Sequence, residues 1–377
     1  MSKYKIMTPG PVQVPANVRL ARSISTTNAD LDPQFYDEYK ETCELISKLL
    51  HTKNETLILS GEGILGLEAA CASMTESGDR VLILDNGIYG AGFADFVSMY
   101  GGTAVMYTKD YKNAFDVNEL DAYLKKDHDF KYATIVHCDT PSGMLNDIHK
   151  ICPLLKSYGI MTVTDSVSGM FGNEVDVDKA QIDILCGGSQ KAVSAPPGLT
   201  FVTISDEAKA AMENRKTPIA SFYCNLTIFK DYYKNLWFPY TMPISDIYGL
   251  KAAIDNIAAD KDLIKRHAKI ANATREALKE FGIKLHLESG FSDTVTVFDV
   301  PEGMTADDIL KRMREEHHIM LAGSFGDLAG KVIRIGHMGA SANVGDMLEV
   351  MSGLEETLRY LGWKSEKSLL KSFHDKL

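Results

Sequence analysis

The 377-residue sequence contains no apolar run of about 18 residues, the length that a membrane-spanning helix needs. Its first residues, "MSKYKIMTPGPVQVP", also lack the apolar stretch of a secretory signal peptide. We therefore expect a cytoplasmic protein with no membrane partner.

Long basic runs and paired cysteines are also absent. The 40 basic residues stand against 51 acidic ones, which gives a formal net charge of −11. Since nucleic-acid binding depends on clustered lysine and arginine, this balance argues against nucleic acid as the main partner.

The six cysteines form no CxxC pair, which is typical of reduced thiols rather than of disulfides or a zinc site. No repeat period is present, so a solenoid is excluded.

Residues 55–205 alternate short β-branched runs with amphipathic segments. Runs such as "TLILS", "RVLILD" and "MTVTDSV" are separated by helix-like stretches such as "LGLEAACASM". This pattern predicts an α/β fold whose mostly parallel sheet is covered by helices on both faces. After the loop "NLWFPYTMPIS", the pattern of the sequence predicts a smaller α+β unit. We predict an N-terminal segment (1–20), a large domain (21–255) and a small C-terminal domain (256–377).

Polar residues follow several of the predicted strands. The turn "SGEG" precedes a helix, and a helix N-terminus exposes backbone N–H groups to an anion such as phosphate. Other strand ends carry Thr140, Asp165, and Gln190 with Lys191. Alone, Asp165 would be an ordinary helix N-cap and Lys191 an ordinary surface lysine. Because ligands of open α/β sheets bind beyond the carboxyl ends of the strands, we expect these residues to share one site.

The combination of a lysine and an aspartate at such a site suits pyridoxal phosphate. A lysine in an apolar pocket has a lowered pKa, and its neutral amine can form a Schiff base with an aldehyde. An aspartate opposite the pyridine nitrogen keeps that nitrogen protonated, which makes the ring an electron sink. Tyr89, in "NGIYG", can supply an aromatic face above the ring.

The order and spacing of "TPGPVQVP", "DTPSG", "DSVSG", "GSQKAVSAPPG" and "RIG" resemble the class V aminotransferases of the fold-type I superfamily. Within that family the chain is similar to the alanine–glyoxylate, 2-aminoethylphosphonate–pyruvate and especially pyridoxamine–pyruvate transaminases. The resemblance covers nearly the whole chain. It implies a large cofactor-binding domain with a smaller C-terminal domain, pyridoxal 5'-phosphate as cofactor, and a homodimer with shared active sites.

The resemblance also implies a role for each matching residue. Lys191 would form the Schiff base, Asp165 would pair with the pyridine nitrogen, and Arg334 would bind the substrate carboxylate. Thr241 would reach the phosphate site of the partner subunit, and Gly10 would lie beside the substrate. The further cofactor-binding positions that it implies are Glu62, Gly63, Ile64, Tyr89, Thr140 and Gln190.

Three positions depart from the family pattern. Glu62 replaces a serine that donates a hydrogen bond to the cofactor phosphate, and Phe238 replaces a tyrosine that does the same. The pocket that binds the phosphate, here called the phosphate cup, would therefore lack two hydrogen-bond donors. Glu62 could turn outward and favour the helix N-terminus, or it could hydrogen-bond the free 5'-hydroxyl of an unphosphorylated vitamer. The second interpretation matches pyridoxamine–pyruvate transaminase, although Phe325 stands where that enzyme has an arginine.

The favoured function is a transaminase that moves an amino group from a small amino donor to pyruvate or glyoxylate. The alternative is a pyridoxamine–pyruvate transaminase that uses the unphosphorylated vitamer as substrate. A cysteine desulfurase is disfavoured because the last cysteine, Cys224, precedes the small domain where that chemistry needs a nucleophile. A non-catalytic vitamin-binding module is disfavoured because Lys191, Asp165 and Arg334 are all present. The amino donor is left open.

Overall fold

The structure, a computed structural model, describes residues 4–377. Within these residues the strands are β1 (Lys5–Ile6), β2 (Glu55–Ser60), β3 (Arg80–Asp85), β4 (Thr103–Thr108), β5 (Tyr132–Val136), β6 (Cys138–Asp139), β7 (Met144–Leu145), β8 (Met161–Asp165), β9 (Ile184–Gly188), β10 (Leu199–Ile204), β11 (Val295–Asp299), β12 (Ile319–Met320) and β13 (Val332–Gly336).

The helices of the same residues are α1 (Ala16–Ala21), α2 (Pro33–Leu49), α3 (Gly63–Met74), α4 (Ile88–Met99), α5 (Val117–Leu124), α6 (Ile148–Ser157), α7 (Val177–Ala180), α8 (Asp206–Glu213), α9 (Tyr232–Asn235), α10 (Ile244–Ala259), α11 (Leu263–Glu280), α12 (Ala306–Glu315), α13 (Val344–Tyr360) and α14 (Leu369–Asp375). Short 3-10 turns lie at Leu226–Phe229, Gly326–Leu328 and Gly339–Ser341. Across the described range, no helix is both long enough and apolar enough to cross a membrane.

The central sheet has seven strands in the order β2-β10-β9-β8-β5-β3-β4. All neighbouring pairs are parallel except those of β10, which runs antiparallel to both β2 and β9. Strands β5, β9 and β10 are buried along their whole length, as continuous apolar strands are when helices cover both faces of a sheet. The predicted α/β fold with a mostly parallel sheet is therefore confirmed.

Parallel register brings the polar strand ends together. Asp165 is the last residue of β8, and it pairs with Val136 of β5 on one side and with Cys186 of β9 on the other. The residues that follow β5, β8 and β9 therefore lie side by side at one edge of the sheet.

Two clusters of buried apolar side chains hold the molecule together. The larger surrounds the central sheet, and the smaller lies among α11, α12, α13 and the paired strands β11 and β13. The N-terminal segment packs into both clusters. Val12 belongs to the larger cluster, Met7 belongs to the smaller one, and β1 pairs with β12. The predicted division near residue 255 remains a prediction, and it falls inside α10, which packs on α1 and α2.

We expect Phe201→Ala to destabilise the fold strongly. Phe201 is fully buried in β10, and its ring packs so closely on the backbone of its cross-strand neighbour Gly187 that a Cβ added there would collide with the ring. Removing a buried phenyl ring costs about 3–5 kcal/mol of unfolding free energy because it leaves a cavity. Urea unfolding of the variant should show this loss. Met99→Ala, which truncates an apolar side chain that is 62% exposed, is the control. Equal losses in the two variants would contradict the packing described for Phe201.

Candidate active site

A cavity of about 300 Å³ opens at the carboxyl ends of β5, β8 and β9. Nine residues that the sequence predicted for the site line it: Gly10, Glu62, Gly63, Ile64, Tyr89, Thr140, Asp165, Gln190 and Lys191. Six further residues complete the lining: Pro11, Leu67, Cys138, Val167, Ser168 and Pro197. A second cavity of about 400 Å³ lies at the amino end of β2, around Glu55 and Lys209, and contains none of the predicted site residues.

Lys191 follows β9 by three residues and projects toward the N-terminal segment. Its Nζ donates a hydrogen bond to the carbonyl oxygen of Pro9 at 2.7 Å. Gly10, with a φ of +113°, lies against the lysine stem so closely that an added Cβ would come within 2.5 Å of Nζ. Removal from water disfavours the charged amine and lowers the pKa of Lys191 to about 8. The site therefore holds an amine that loses its proton more easily than an exposed lysine.

Asp165 lies at the end of β8 and is only 4% exposed. One carboxylate oxygen accepts a hydrogen bond from the backbone N–H of Val167 at 2.9 Å. Burial raises the pKa of Asp165 to about 7, and the nearby charges of Asp139 and Glu62 act in the same direction, whereas Lys191 opposes them. The carboxyl group is therefore poised to hold or release a proton near neutral pH.

Asp139 fixes the position of Tyr89 from beneath. Its carboxylate accepts the backbone N–H of Tyr89 at 3.0 Å and the hydroxyl of Ser142 at 2.6 Å. Gly87 makes this possible, because a Cβ at that position would lie 2.5 Å from the carboxylate carbon. Burial raises the pKa of both Asp139 and Tyr89. Thr140 follows directly and lines the cavity.

Glu62 caps the helix that faces the cavity. One of its carboxylate oxygens accepts the backbone N–H of Ile64 at 3.1 Å, and the other accepts the side-chain amide of Gln190 at 3.3 Å. Its side chain is exposed to solvent and also lines the cavity. Glu62 therefore caps α3, as the first possibility predicted, and its carboxylate lies at the helix N-terminus where an anion would otherwise bind. The hydrogen bond to a free 5'-hydroxyl stays a prediction.

Arg334 adjoins the cavity through its lining residue Thr140. Arg334 lies in β13, where its Nε donates to the carbonyl of Gly323 at 2.5 Å and one Nη1 proton is directed to the carbonyl of Thr140 at 3.3 Å. Burial lowers the pKa of Arg334, and Tyr89 and Asp139 counteract that shift. The remaining guanidinium N–H groups can bind a carboxylate.

Two residues of the loop "FPYT" are not brought into this cavity. Phe238 is 3% exposed and stacks on Tyr36 with ring centroids 4.4 Å apart, inside an aromatic cluster of the large core. The hypothesis that Phe238 lines the phosphate cup is therefore wrong for the cavity of its own chain. Thr241 is exposed and does not line the cavity. Its contribution to the site of a partner subunit stays a prediction.

Ser168 and Cys138 are cavity residues that the sequence reasoning did not assign. The hydroxyl of Ser168 and the side-chain carbonyl of Gln190 are buried, and neither meets the geometry of a hydrogen bond among the described residues, although the Ser168 hydroxyl lies near enough to the Cys138 thiol to oppose the rise of that thiol's pKa. Buried polar groups normally have hydrogen-bond partners, so two such groups without a partner in one cavity indicate a place for a polar ligand. The signal for Ser168 was its place in "DSVSG", three residues after Asp165.

Comparison with known proteins places this geometry in a family. The family model described as aminotransferase class-V matches residues 18–334. An uncharacterized aminotransferase of Methanocaldococcus jannaschii is 32% identical over 370 residues, which cover 97% of this chain and 95% of that protein. The pyridoxamine–pyruvate transaminase of Mesorhizobium japonicum is 32% identical over 346 residues, which cover 89% of this chain and 86% of that protein.

A solved structure supports the same assignment. Ureidoglycine–glyoxylate aminotransferase from Bacillus subtilis matches with a TM-score of 0.94 at 29% identity, covering 100% of this chain and 98% of that one. The chain therefore belongs to the class V aminotransferases and is an enzyme of fold type I, as the sequence motifs indicated. Aminotransferases of this family use pyridoxal phosphate, so the predicted cofactor is confirmed at the level of the family.

The lowered pKa of Lys191 has a measurable effect on stability. Between pH 8 and about 10.5, the unfolded chain holds a proton that native Lys191 has lost, so raising the pH favours the native state. Relative to Lys191→Met, the unfolding free energy of the cofactor-free wild type should rise by about 2–3 kcal/mol over this window. Denaturant titrations at the two pH values measure it. Lys48→Met, at an exposed lysine, is the control and should track the wild type. A constant gap between wild type and Lys191→Met would contradict the shift.

Proposed function

We propose that this enzyme transfers an amino group from a small amino donor to pyruvate or glyoxylate, and that Lys191 is the residue to which the cofactor attaches. The observation that carries this proposal is the convergence of a lysine of lowered pKa and an aspartate of raised pKa in one cavity. Perturbed pKa values of opposite direction in a single cleft are characteristic of acid–base sites.

The cavity fits pyridoxal phosphate in its chemical groups. When bound, this cofactor supplies an aldehyde for the lysine amine and a ring that withdraws electrons from the substrate carbon. Asp165 would hold a proton at the ring nitrogen, Tyr89 would cover one face of the ring, and Thr140 would lie at its edge. The unpartnered hydroxyl of Ser168 can donate to an oxygen of the cofactor, and the unpartnered carbonyl of Gln190 can accept from a hydroxyl or a water.

The residues of this chain can carry the proton transfers that the reaction needs. A neutral Lys191 amine can take a proton from the substrate carbon and return it, because its pKa of about 8 lies close to neutral pH. Asp165, with a pKa near 7 and a fixed hydrogen bond from Val167, presents its carboxyl group in one orientation. Arg334 would orient the substrate by binding its carboxylate through the N–H groups that Gly323 and Thr140 leave free.

A second candidate, a pyridoxamine–pyruvate transaminase, is favoured by the contacts of Glu62. Its carboxylate already accepts the N–H of Ile64, in the first turn of α3, and the amide of Gln190, which are donors that a phosphate could use. A phosphate placed there would meet a second anion, whereas a free 5'-hydroxyl could donate to the carboxylate. Phe325 does not provide the positive partner for Glu62 that an arginine would. The relative from Mesorhizobium japonicum bears this activity in its name.

We also propose that the enzyme is a homodimer with shared active sites. Three aromatic side chains near Thr241 are exposed: Phe222, Tyr223 and Trp237 are each more than half accessible. Exposed apolar groups concentrated in one segment are typical of an interface. This supports a partner subunit that covers the segment and receives Thr241 at its own cavity.

Lys191→Ala should abolish transamination. The variant loses both the attachment point and the base, so turnover with a panel of donors, pyridoxamine included, should fall by orders of magnitude. The panel, assayed against pyruvate and glyoxylate, also identifies the donor. Lys209→Ala, at the second cavity, is the matched control and should keep full activity. Wild-type turnover in Lys191→Ala would overturn the assignment.

Glu62→Ser should tighten the binding of pyridoxal phosphate and weaken that of unphosphorylated pyridoxamine. It removes an anion and adds a donor, and a hydrogen bond to a charged group contributes about 1.5–3 kcal/mol, so the affinity for the phosphorylated form should rise about tenfold or more. Absorbance titrations of the two vitamers measure both changes. Glu62→Gln separates the loss of charge from the change in size.

A wild-type protein that retains stoichiometric pyridoxal phosphate through dialysis would contradict the second candidate. It would leave the first candidate in place, with Glu62 serving only as the cap of α3.

A further inference from the structure

The loop between β12 and β13 places the phenyl ring of Phe325 beside Arg334. We propose that Phe325 selects the substrate side chain. Its ring forms an apolar wall next to the carboxylate-binding arginine and restricts the oxo acid, and the amino acid of the same skeleton, to short side chains without a second negative charge. This inference rests on the proposed role of Arg334 in a transaminase.

The loop is held in place by Arg334 itself. Ala322 and Arg334 exchange two backbone hydrogen bonds, of 3.2 and 2.7 Å, and the Nε of Arg334 donates to Gly323 at 2.5 Å. Ser324 then donates through its hydroxyl to the carbonyl of Pro141, in the loop that follows Thr140, at 3.1 Å. Ser324, the residue before Phe325, is therefore held by a hydrogen bond at the edge of the cavity. This hydrogen bond also fixes the backbone position of Phe325.

The ring of Phe325 lies near both Arg334 and Tyr89. Its centroid is 5.8 Å from the central guanidinium carbon of Arg334 and 6.1 Å from the ring of Tyr89, which it meets edge to face at 74°. The next residue, Gly326, has a φ of +59°, and a Cβ there would lie 3.2 Å from Ile88. Phe325 is nevertheless 43% exposed, so packing in a core does not account for its position.

The guanidinium has capacity for one carboxylate. Of its five N–H groups, one is used by Gly323 and one by Thr140, and the remaining three have no hydrogen-bond partner among the described residues. Three N–H groups on two nitrogens suffice for one forked carboxylate contact. A substrate carboxylate bound there would place the substrate next to the Phe325 ring.

The charges around the cavity disfavour a second substrate carboxylate. Lys191 is the only cation among the described lining residues, while Glu62 and Asp165 are acidic and Asp139 lies beneath Tyr89. A second carboxylate beside the Phe325 ring would lose part of its hydration and would gain no cationic partner. An unpaired anion beside an apolar surface costs binding free energy. Monocarboxylates such as pyruvate and glyoxylate avoid this cost.

The test replaces the phenyl ring of Phe325 with the positively charged side chain of arginine. In Phe325→Arg made together with Glu62→Gln, so that Glu62 cannot pair with the new guanidinium, the ratio of the affinity for 2-oxoglutarate to that for pyruvate should rise about tenfold or more over Glu62→Gln alone, because the guanidinium can pair with the distal carboxylate. Calorimetry on the cofactor-loaded protein measures the two dissociation constants, and steady-state kinetics should place the change in KM rather than in kcat. Phe325→Leu, which keeps an apolar wall, should leave the ratio near that of the wild type.

Val344→Arg adds the same charge to an exposed residue at the start of α13 and should not move the ratio. An unchanged ratio when Phe325→Arg is added to Glu62→Gln, or an equal change when Val344→Arg is added instead, overturns the inference. A wild type that transaminates no donor, while Phe325→Arg still shifts the affinity ratio, overturns the proposed function and supports the role of Phe325.

Discussion

The hydrogen bond between the amine of Lys191 and the carbonyl of Pro9 connects the cavity of the cofactor-free chain to the N-terminal segment. It joins a residue at the end of the central sheet to a segment that also pairs with the small cluster through β1 and β12. Two backbone contacts support it on either side, from Val12 to the carbonyl of Gln190 and from Gly336 to the carbonyl of Met7. The position of the amine is therefore determined by both clusters together.

The polar residues of the cavity are held in place at a cost to stability. Asp165, Asp139 and Lys191 are withdrawn from water, and each has a pKa displaced in the direction that disfavours its charge. Only a few fixed donors and acceptors compensate, such as the N–H of Val167 for Asp165 and the hydroxyl of Ser142 for Asp139. Sites of this kind commonly exchange stability for reactivity.

Much of the fold and the site could be predicted because the signals are local. The apolar runs of β2, β3, β8 and β9 are continuous, and the polar residues that follow strands of the sheet, Thr140, Asp165, Gln190 and Lys191, line one cavity as the strand ends predicted. Gly10 and Ile64, which also line it, were predicted only from the family resemblance. The edge strand β4 carries a weaker signal, since it pairs only with β3 and is largely accessible. The start of α2, with Asp32 as N-cap and Pro33 at the first position, is a further local signal of this kind.

What could not be predicted depends on contacts distant in sequence. Phe238 occupies the place of a family tyrosine along the chain, yet its ring packs against Tyr36 of α2 instead of facing the cavity. The attachment of residues 322–325 to Arg334 and Pro141 joins three separate segments, and no spacing in the sequence reveals it. The unpartnered hydroxyl of Ser168 becomes visible only when every neighbour is known.

The capping of α3 by Glu62 bears on how such an enzyme could diverge. The same carboxylate satisfies the helix N-terminus and occupies the anion position of the cavity, so a substitution there risks losing the cap while it alters the ligand. Serine escapes this conflict, because it is among the favoured N-cap residues and is also a donor to phosphate. Glutamate and serine codons are more than one base change apart, however, and the coding intermediate between them is alanine, a poor N-cap, so a lineage that changed this residue would pass through a helix that has lost its cap.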